Sequence, residues 1–219
     1  MSWTGELAIV GAGVVFRGEV ADNRPHRHAT VQLTLGLDGP ATITEASSGT
    51  DVRATRGPAL LVRPNVMHAL QPGGRVLLAL LAPETRIAQA LLQHHGAGGV
   101  VALAPDVAAR IDTKGSLGQA LSALQPPPTD VQPSDARVLQ ALTFLESCRG
   151  PRPIERAAAA SGVSVSRLRA LAWTRLEVPL ARWLTLRQLQ RAFGVTPATV
   201  ATIVWASDRR FVQDPAQSG

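Results

Sequence analysis

The sequence predicts an α+β chain of two domains: a small β-barrel followed by helices, then an all-α domain built around a helix-turn-helix. Three observations lead there. Up to about residue 90, short apolar stretches alternate with Gly, Pro and Asn/Asp, the pattern of a sheet-rich domain. A proline run at Pro126, Pro127 and Pro128 then interrupts the chain, since proline fixes φ and lacks the amide hydrogen. Beyond it the apolar residues recur at helical spacing. A chain of 219 residues is long enough for two small cores.

The candidate strands are Leu7 to Val10, Val31 to Leu37, Ala41 to Glu45, Ala59 to Val62 and Arg75 to Leu81. Short strands at close, regular spacing predict a barrel or sandwich. Gly11-Ala12-Gly13 is too short for a dinucleotide site and reads as a turn, as do Gln71, Gly73 and Gly74. From Pro83 the period changes. Ile87, Ala90 and Leu91 share one helical face, and the helix is expected to end at Gly96, beside His94 and His95. Helix-like material continues through Leu124. The expected divisions are therefore a sensor domain over 1–96, a helical and Pro-rich linker over 97–133, and a helical domain over 134–219. Ser134 is the expected N-cap of the first helix of that domain, with Val138, Leu139, Ala141, Leu142 and Leu145 as its apolar stripe.

Charge separates the two parts. Residues 1–132 hold ten basic and ten acidic side chains, whereas 133–219 hold twelve basic and six acidic, so the whole surplus of +6 lies in the second part. Such asymmetry predicts a polyanionic partner for the basic part, and nucleic acid is the usual one. Almost all the cations are Arg, with Lys114 the only lysine, which fits an Ala- and Arg-rich coding bias as well as a function. Cys148 is the only cysteine, so no intramolecular disulfide can form and a reducing compartment fits. No apolar run reaches the length of a membrane span, and the N-terminus lacks signal-peptide regions. A soluble, cytoplasmic protein with no membrane partner is expected.

His26 and His28 stand two apart after Pro25, so on a strand they would face the same side. His68 follows Pro64 in the run Arg63-Pro64-Asn65-Val66-Met67-His68. This arrangement resembles the two signature motifs of the cupin superfamily, small β-barrels in which three histidines and a carboxylate converge on a divalent ion. The resemblance implies a cupin-like barrel and an effector or metal pocket at His26, His28, Gln32 and His68. It departs at the carboxylate, because the family's glutamate would fall at or near Gln32, and a neutral amide is a poorer ligand for a hard cation. Two readings stay open: a divalent metal such as zinc held by His26, His28 and His68 with an open position, or polar side chains lining a ligand pocket with no cofactor.

Between Pro153 and Phe193, Ile154 to Ala160 reads as a short helix, Gly162 as a turn, and Ser164 as the cap of a helix from Val165 to about Leu176. Two short helices joined this way form a helix-turn-helix, whose second helix can enter the major groove. The run Ala-Ser-Gly-Val-Ser-Val-Ser-Arg-Leu-Arg-Ala-Leu from Ala160, with Val178-Pro179-Leu180-Ala181-Arg182-Trp183-Leu184 after it, resembles the first helix-turn-helix and connecting helix of the AraC/XylS family over about forty residues. The resemblance implies that Ser166, Arg167 and Arg169 face base edges, a bidentate Arg–guanine pair giving about 1–3 kcal/mol of discrimination. Arg175, Arg182 and Arg187 are then phosphate contacts or solvated charge. Leu168, Leu171 and Leu176 are core by spacing.

Three departures from that family stand out. Ala172 replaces an aromatic residue, with Trp173 placed to restore packing, and Glu177 replaces a glycine able to take the left-handed conformation at the helix end. The phrase Phe193-Gly194-Val195-Thr196-Pro197, which ends the family's second helix-turn-helix, follows the connecting helix almost at once. The second unit is therefore missing, either by true deletion or because a segment is left out of the sequence. The apolar stretch Val200 to Trp205 is expected against the first unit or another chain.

Three functions are open at this point. The first is a transcription regulator that binds double-stranded DNA, answers to a small-molecule effector and acts as a homodimer, since a single module needs a second copy for specific affinity. The second is a metal-dependent cupin enzyme, which the missing carboxylate disfavours. The third is a dimerising, DNA-incompetent relative acting by protein contact. With no nucleophile, base and orienter together and no phosphate-binding loop, no catalytic residue is named and an enzyme is not expected.

Overall fold

A computed structural model of the protein describes residues 4–10, 13–21, 24–46, 52–71, 73–95, 98–111, 113–122, 135–192 and 201–205. The chain runs β1 (Thr4–Val10), β2 (Gly13–Glu19), β3 (Val31–Gly36), β4 (Ala41–Ala46), β5 (Val52–Gly57), β6 (Ala59–Val62), β7 (His68–Leu70) and β8 (Arg75–Leu81). It continues through α1 (Arg86–His94), β9 (Val100–Ala102), α2 (Pro105–Ala109) and α3 (Leu117–Ser122). Four helices follow, α4 (Ala136–Ser147), α5 (Pro153–Ala160), α6 (Val165–Leu176) and α7 (Leu180–Ala192), and then β10 (Ala201–Trp205). The structure is thus mixed sheet and helix.

All strand pairs are antiparallel and lie in two sheets, a larger one ordered β10-β1-β2-β8-β3-β6-β9 and a smaller one ordered β5-β4-β7. The larger sheet is covered on both faces. One face packs with the smaller sheet around Phe16, Ile43, Leu60, Val62, Leu70 and Leu78. The other buries Val15, Leu33, Leu61, Ala79 and Leu81 beneath Ile87, Ala88 and Leu91 of α1 and Leu117 of α3. Burial on both faces explains why β8 is a continuous apolar run, while β3 alternates and buries Gln32 and Thr34 beside its apolar residues.

The five expected strands are present, and β2, β5, β7 and β9 are additional. β5 is largely exposed and carries Arg53 and Arg56, charges that suit a sheet edge, while β7 and β9 are three residues each. Neither signal is long enough for a periodicity to register. The stretch from Ala201, expected against the first unit or another chain, runs as β10 along β1, from Ile9 opposite Ala201 to Gly5 opposite Trp205. Phe193 to Pro197, the Pro126 run, Ser134 and the Gly11-Ala12 turn fall outside the described residues.

Helices α4 to α7 share a separate core of Val138, Ala141, Leu142, Leu145, Ala157, Leu168, Ala172, Leu176 and Trp183. Asp135 rather than Ser134 caps α4, its carboxylate accepting from Arg137 N at 3.0 Å. Leu139 departs from the expected stripe and is exposed, since it sits a full 100° from Val138 on the helix. Between α5 and α6, Gly162 takes φ 66° and the Ser164 hydroxyl caps α6 by accepting from Arg167 N at 3.2 Å. Leu168 and Leu176 are fully buried and Leu171 partly so. Ala172 is also fully buried, but Trp173 is half exposed and does not restore the missing aromatic. Bulk in this core comes from Trp183 of α7, the largest fully buried side chain among the described residues. No helix of the described residues is long and apolar enough to cross a membrane.

Candidate functional site

The three predicted histidines come together. His26 and His28 lie on the loop before β3, not on a strand, and His26 pairs with His68 of β7 through His26 N to His68 O and His68 N to His26 O, both 2.9 Å. The ring centroids are 4.7 Å apart for His26 and His68, 5.0 Å for His28 and His68, and 5.7 Å for His26 and His28. Ligand nitrogens from the three lie within 4.8 Å of one another, so they could hold a metal ion. His68 is fully buried, while the other two are more open.

Backbone carbonyls set the proton positions. His26 Nδ1 lies 3.0 Å from Arg24 O, His28 Nδ1 3.1 Å from Thr30 O, and His68 Nδ1 3.0 Å from Val66 O. A carbonyl can only accept, so His26 and His68 carry the proton on Nδ1 and keep a lone pair at Nε2, whereas His28 Nδ1 also meets the Thr30 hydroxyl at 2.8 Å, which can donate to it or accept from it. This is how metal-ligating histidines are oriented by their surroundings. Burial holds His28 below its ordinary pKa and pushes His68 down to about 4, so both rings are neutral at pH 7.

Gln32 completes the cluster from β3. Its Oε1 is 2.9 Å from His28 Nε2 and 3.1 Å from His68 Nε2, and its Nε2 donates to the buried Thr34 hydroxyl at 3.1 Å. Ligands bonded at about 2.0–2.1 Å in a tetrahedral set stand roughly 3.3 Å from one another, close to these separations. Three imidazoles and an amide oxygen, all uncharged, suit a borderline ion of the zinc kind better than a hard one.

The loops that form the pocket also hold the helical part of the chain. Asn65, at φ 64°, donates its N–H to His28 O at 2.8 Å and accepts from Arg182 of α7 through Oδ1. Arg63 pairs with Glu177 at the end of α6 and donates to Leu92 O at 2.9 Å. Ala29, between the two histidine positions and β3, packs on the core of α4 to α7. Beside this contact lies a cleft of about 680 Å³ bordered by Pro64, Val66, Trp173 and Thr174.

The three arginines expected as phosphate contacts or solvated charge each have partners within the chain, with Arg175 and Arg187 partly buried and Arg182 exposed. Arg175 donates to Gln89 Oε1 of α1, whose Nε2 donates to Arg175 O at 2.7 Å. Arg182 engages Asn65. Arg187 lies 3.4 Å from Glu84, pairs with Glu146 and stacks over the Trp183 ring at 5.9 Å. Glu84 also accepts from Trp183 Nε1 at 2.8 Å. Ser166, Arg167 and Arg169 are exposed on α6. Sequence reasoning missed Arg63, Asn65, Glu84, Gln89 and Trp183 as contact residues; only the unusual Glu177 at a glycine position hinted that something must meet it.

No family model matches the sequence, and no curated protein does. Solved structures give low similarity. A substrate-binding study of oxalate decarboxylase superposes with a TM-score of 0.28 at 12% identity, over 77% of this chain and 35% of that one. This chain thus spans about a third of that enzyme. Apo ToxT from Vibrio cholerae strain SCE256 superposes with a TM-score of 0.30 at 8% identity, over 80% of this chain and 97% of that one. Wild-type ToxT of the same strain bound to an unsaturated fatty acid gives 0.26 at 10% identity, over 83% and 95%.

Proposed function

We propose that this chain is a transcription regulator of the AraC type that binds double-stranded DNA through a helix-turn-helix formed by α5 and α6, with the three-histidine pocket as its sensor. The supporting observation is that the same two loops build the pocket and grip α6 and α7: His28 and Asn65 share a backbone hydrogen bond, and Asn65 and Arg63 reach Arg182 and Glu177. A ligand that alters the pocket differentially must alter this grip, and the converse holds by linkage. The pocket's ligand is a divalent metal such as zinc or a small molecule reached through it. If the ion is bound, it supplies Lewis acidity and a fixed point for an effector's oxygen; His26, His28, His68 and Gln32 would hold it. The protein works in the cytoplasm as a homodimer, the second copy supplying the groove contacts that one module lacks.

Ser166, Arg167 and Arg169 are the base-facing residues of this reading, and the exposed start of α6 carries them. Arg175, Arg182 and Arg187 join the DNA contact only when the grip opens. A second reading, a DNA-incompetent relative acting through protein contact, draws on the partners those same arginines have within the chain.

Fluorescence anisotropy with mixed-sequence duplex DNA across a salt series separates the two. The native chain should bind weakly with steep salt dependence, Arg167→Ala with Arg169→Ala should abolish binding, and Arg63→Ala with Asn65→Ala should strengthen it. Absence of binding at low salt, in the native chain and the opened variant alike, would leave only the second reading.

A further inference from the structure

The lone pairs around Gln32 pose a problem of proton supply. With Nδ1 protonated against Val66 O, His68 Nε2 is an acceptor, and so is His28 Nε2 when its Nδ1 donates to Thr30 O rather than accepting from the Thr30 hydroxyl 2.8 Å away; Gln32 Oε1, 3.1 and 2.9 Å from the two, is an acceptor too. Buried acceptors facing one another without a donor or cation are costly. A proton on His28 Nε2, with the Thr30 hydroxyl donating to Nδ1, relieves the His28 contact alone and leaves His68; two arrangements relieve both. A cation among the nitrogens and Oε1 does so directly. Without one, rotation of the terminal amide brings the –NH2 group to the two imidazoles, where its two N–H groups match the two Nε2 acceptors.

Thr34 makes both orientations workable. Its hydroxyl, fully buried on β3 and 3.1 Å from the Gln32 amide, accepts from an N–H in one orientation and donates to the carbonyl oxygen in the other. A glutamate in the same place has no such second state: as a carboxylate it only accepts, and could satisfy the nitrogens only by taking up a proton. Gln32 at 2% exposure has no water to turn to instead.

We infer that Gln32 gauges the ion in this pocket: with an ion bound its amide oxygen completes a neutral ligand set of three imidazoles and one amide, and with none its amide turns over and donates to His28 and His68. The inference rests on the metal reading of the pocket. Its consequence is a reversible site, intact without metal and selective for zinc-like ions, as a sensor requires, rather than a site that retains a hard cation permanently. Four neutral ligands leave the ion's full charge uncompensated inside the protein, which limits affinity; a carboxylate at residue 32 would remove one unit of it.

Titration calorimetry of the 219-residue chain with Zn2+ and with Mn2+, on the native protein, Gln32→Glu and Gln32→Leu, tests this, with 15N spectra of the imidazoles recorded metal-free. The native chain should take Zn2+ in preference to Mn2+. Gln32→Leu should weaken Zn2+ about 10–100-fold, and Gln32→Glu should tighten Mn2+ at least about tenfold and so narrow the preference. In metal-free protein, Gln32→Leu should move the Nε2 resonances of His28 and His68 toward those of an unbonded ring nitrogen. Zn2+ binding by the native chain that neither substitution changes would overturn the role of Gln32 and leave the metal site standing. Failure of the native chain and of Gln32→Glu to bind either ion would overturn the metal reading itself, and this inference with it. Should Gln32→Leu fail to fold, the Gln32→Glu ion preference decides alone.

Discussion

Glu177 stands at φ 56° and ψ 17°, the left-handed conformation that glycine would adopt at no steric cost, and its N–H closes α6 on Trp173 O at 2.9 Å. A non-glycine residue there costs about 1–2 kcal/mol. The carboxylate offsets that cost by pairing with the largely buried Arg63. Glu177→Gly should therefore leave the melting free energy within about 1 kcal/mol of native, since strain and pairing vanish together, while Glu177→Ala keeps the strain, strands Arg63 and should cost about 1–3 kcal/mol; denaturant titration of both distinguishes them. His68 carries a second residue-scale prediction. Its folded-state pKa, pushed to about 4 by burial, lies below the unfolded value of 6.5, so the unfolded chain binds more protons between these values. Stability is complete above pH 6.5 and falls as pH drops toward 4. A displacement of that size amounts to roughly 3 kcal/mol, and metal-free protein unfolded with urea at pH 7, 6, 5 and 4 should trace the decline; a flat profile would contradict it.

At the scale of elements, α6 is the instructive case. Its start is fixed locally by the Ser164 cap, and Ser164→Ala should cost about 1 kcal/mol without altering the helix's position. Its middle is fixed by tertiary packing. Ala172 is fully buried in a core that Trp183 already fills from α7, so Ala172→Phe, which restores the aromatic of the family it resembles, should destabilise by about 1–3 kcal/mol through overpacking. Gain of stability in that variant would mean the core holds unfilled space.

For the whole molecule, the decisive feature is that the loop carrying Arg63 and Asn65, together with Glu84 and Gln89 at α1, holds α6 and α7 through polar contacts: Arg63 to Glu177, Asn65 to Arg182, Glu84 to Trp183 and Gln89 to Arg175. Each such contact contributes little alone, about 0.5–1.5 kcal/mol, so the union is separable without unfolding either part. Arg63→Ala combined with Arg182→Ala should raise amide hydrogen exchange across α6 and α7 while β3, β6 and β8 stay protected. Exchange unchanged in α7 would place the union in the apolar contact at Ala29 instead.

What the sequence determined by itself was local or near-local. The strands with apolar runs, the Gly162 turn and the Ser164 cap follow from residue type and spacing, because a turn or a cap is built within a few residues; the meeting of His26 and His28 with His68 was an expectation of the cupin resemblance. Tertiary structure decided what depends on facing surfaces. β2 and the short strands β7 and β9 gain their identity from neighbours in the sheet, and β10 from the free edge of β1. Arg175, Arg182 and Arg187 read from the sequence as phosphate contacts or solvated charge; that Gln89, Asn65 and Glu84, some 86 to 117 positions away, meet them is something no spacing encodes. Gln32 likewise was set beside the histidines by the cupin resemblance, but only the geometry placed its amide oxygen against two imidazole nitrogens, and that contact is what gives the substitution a chemical meaning.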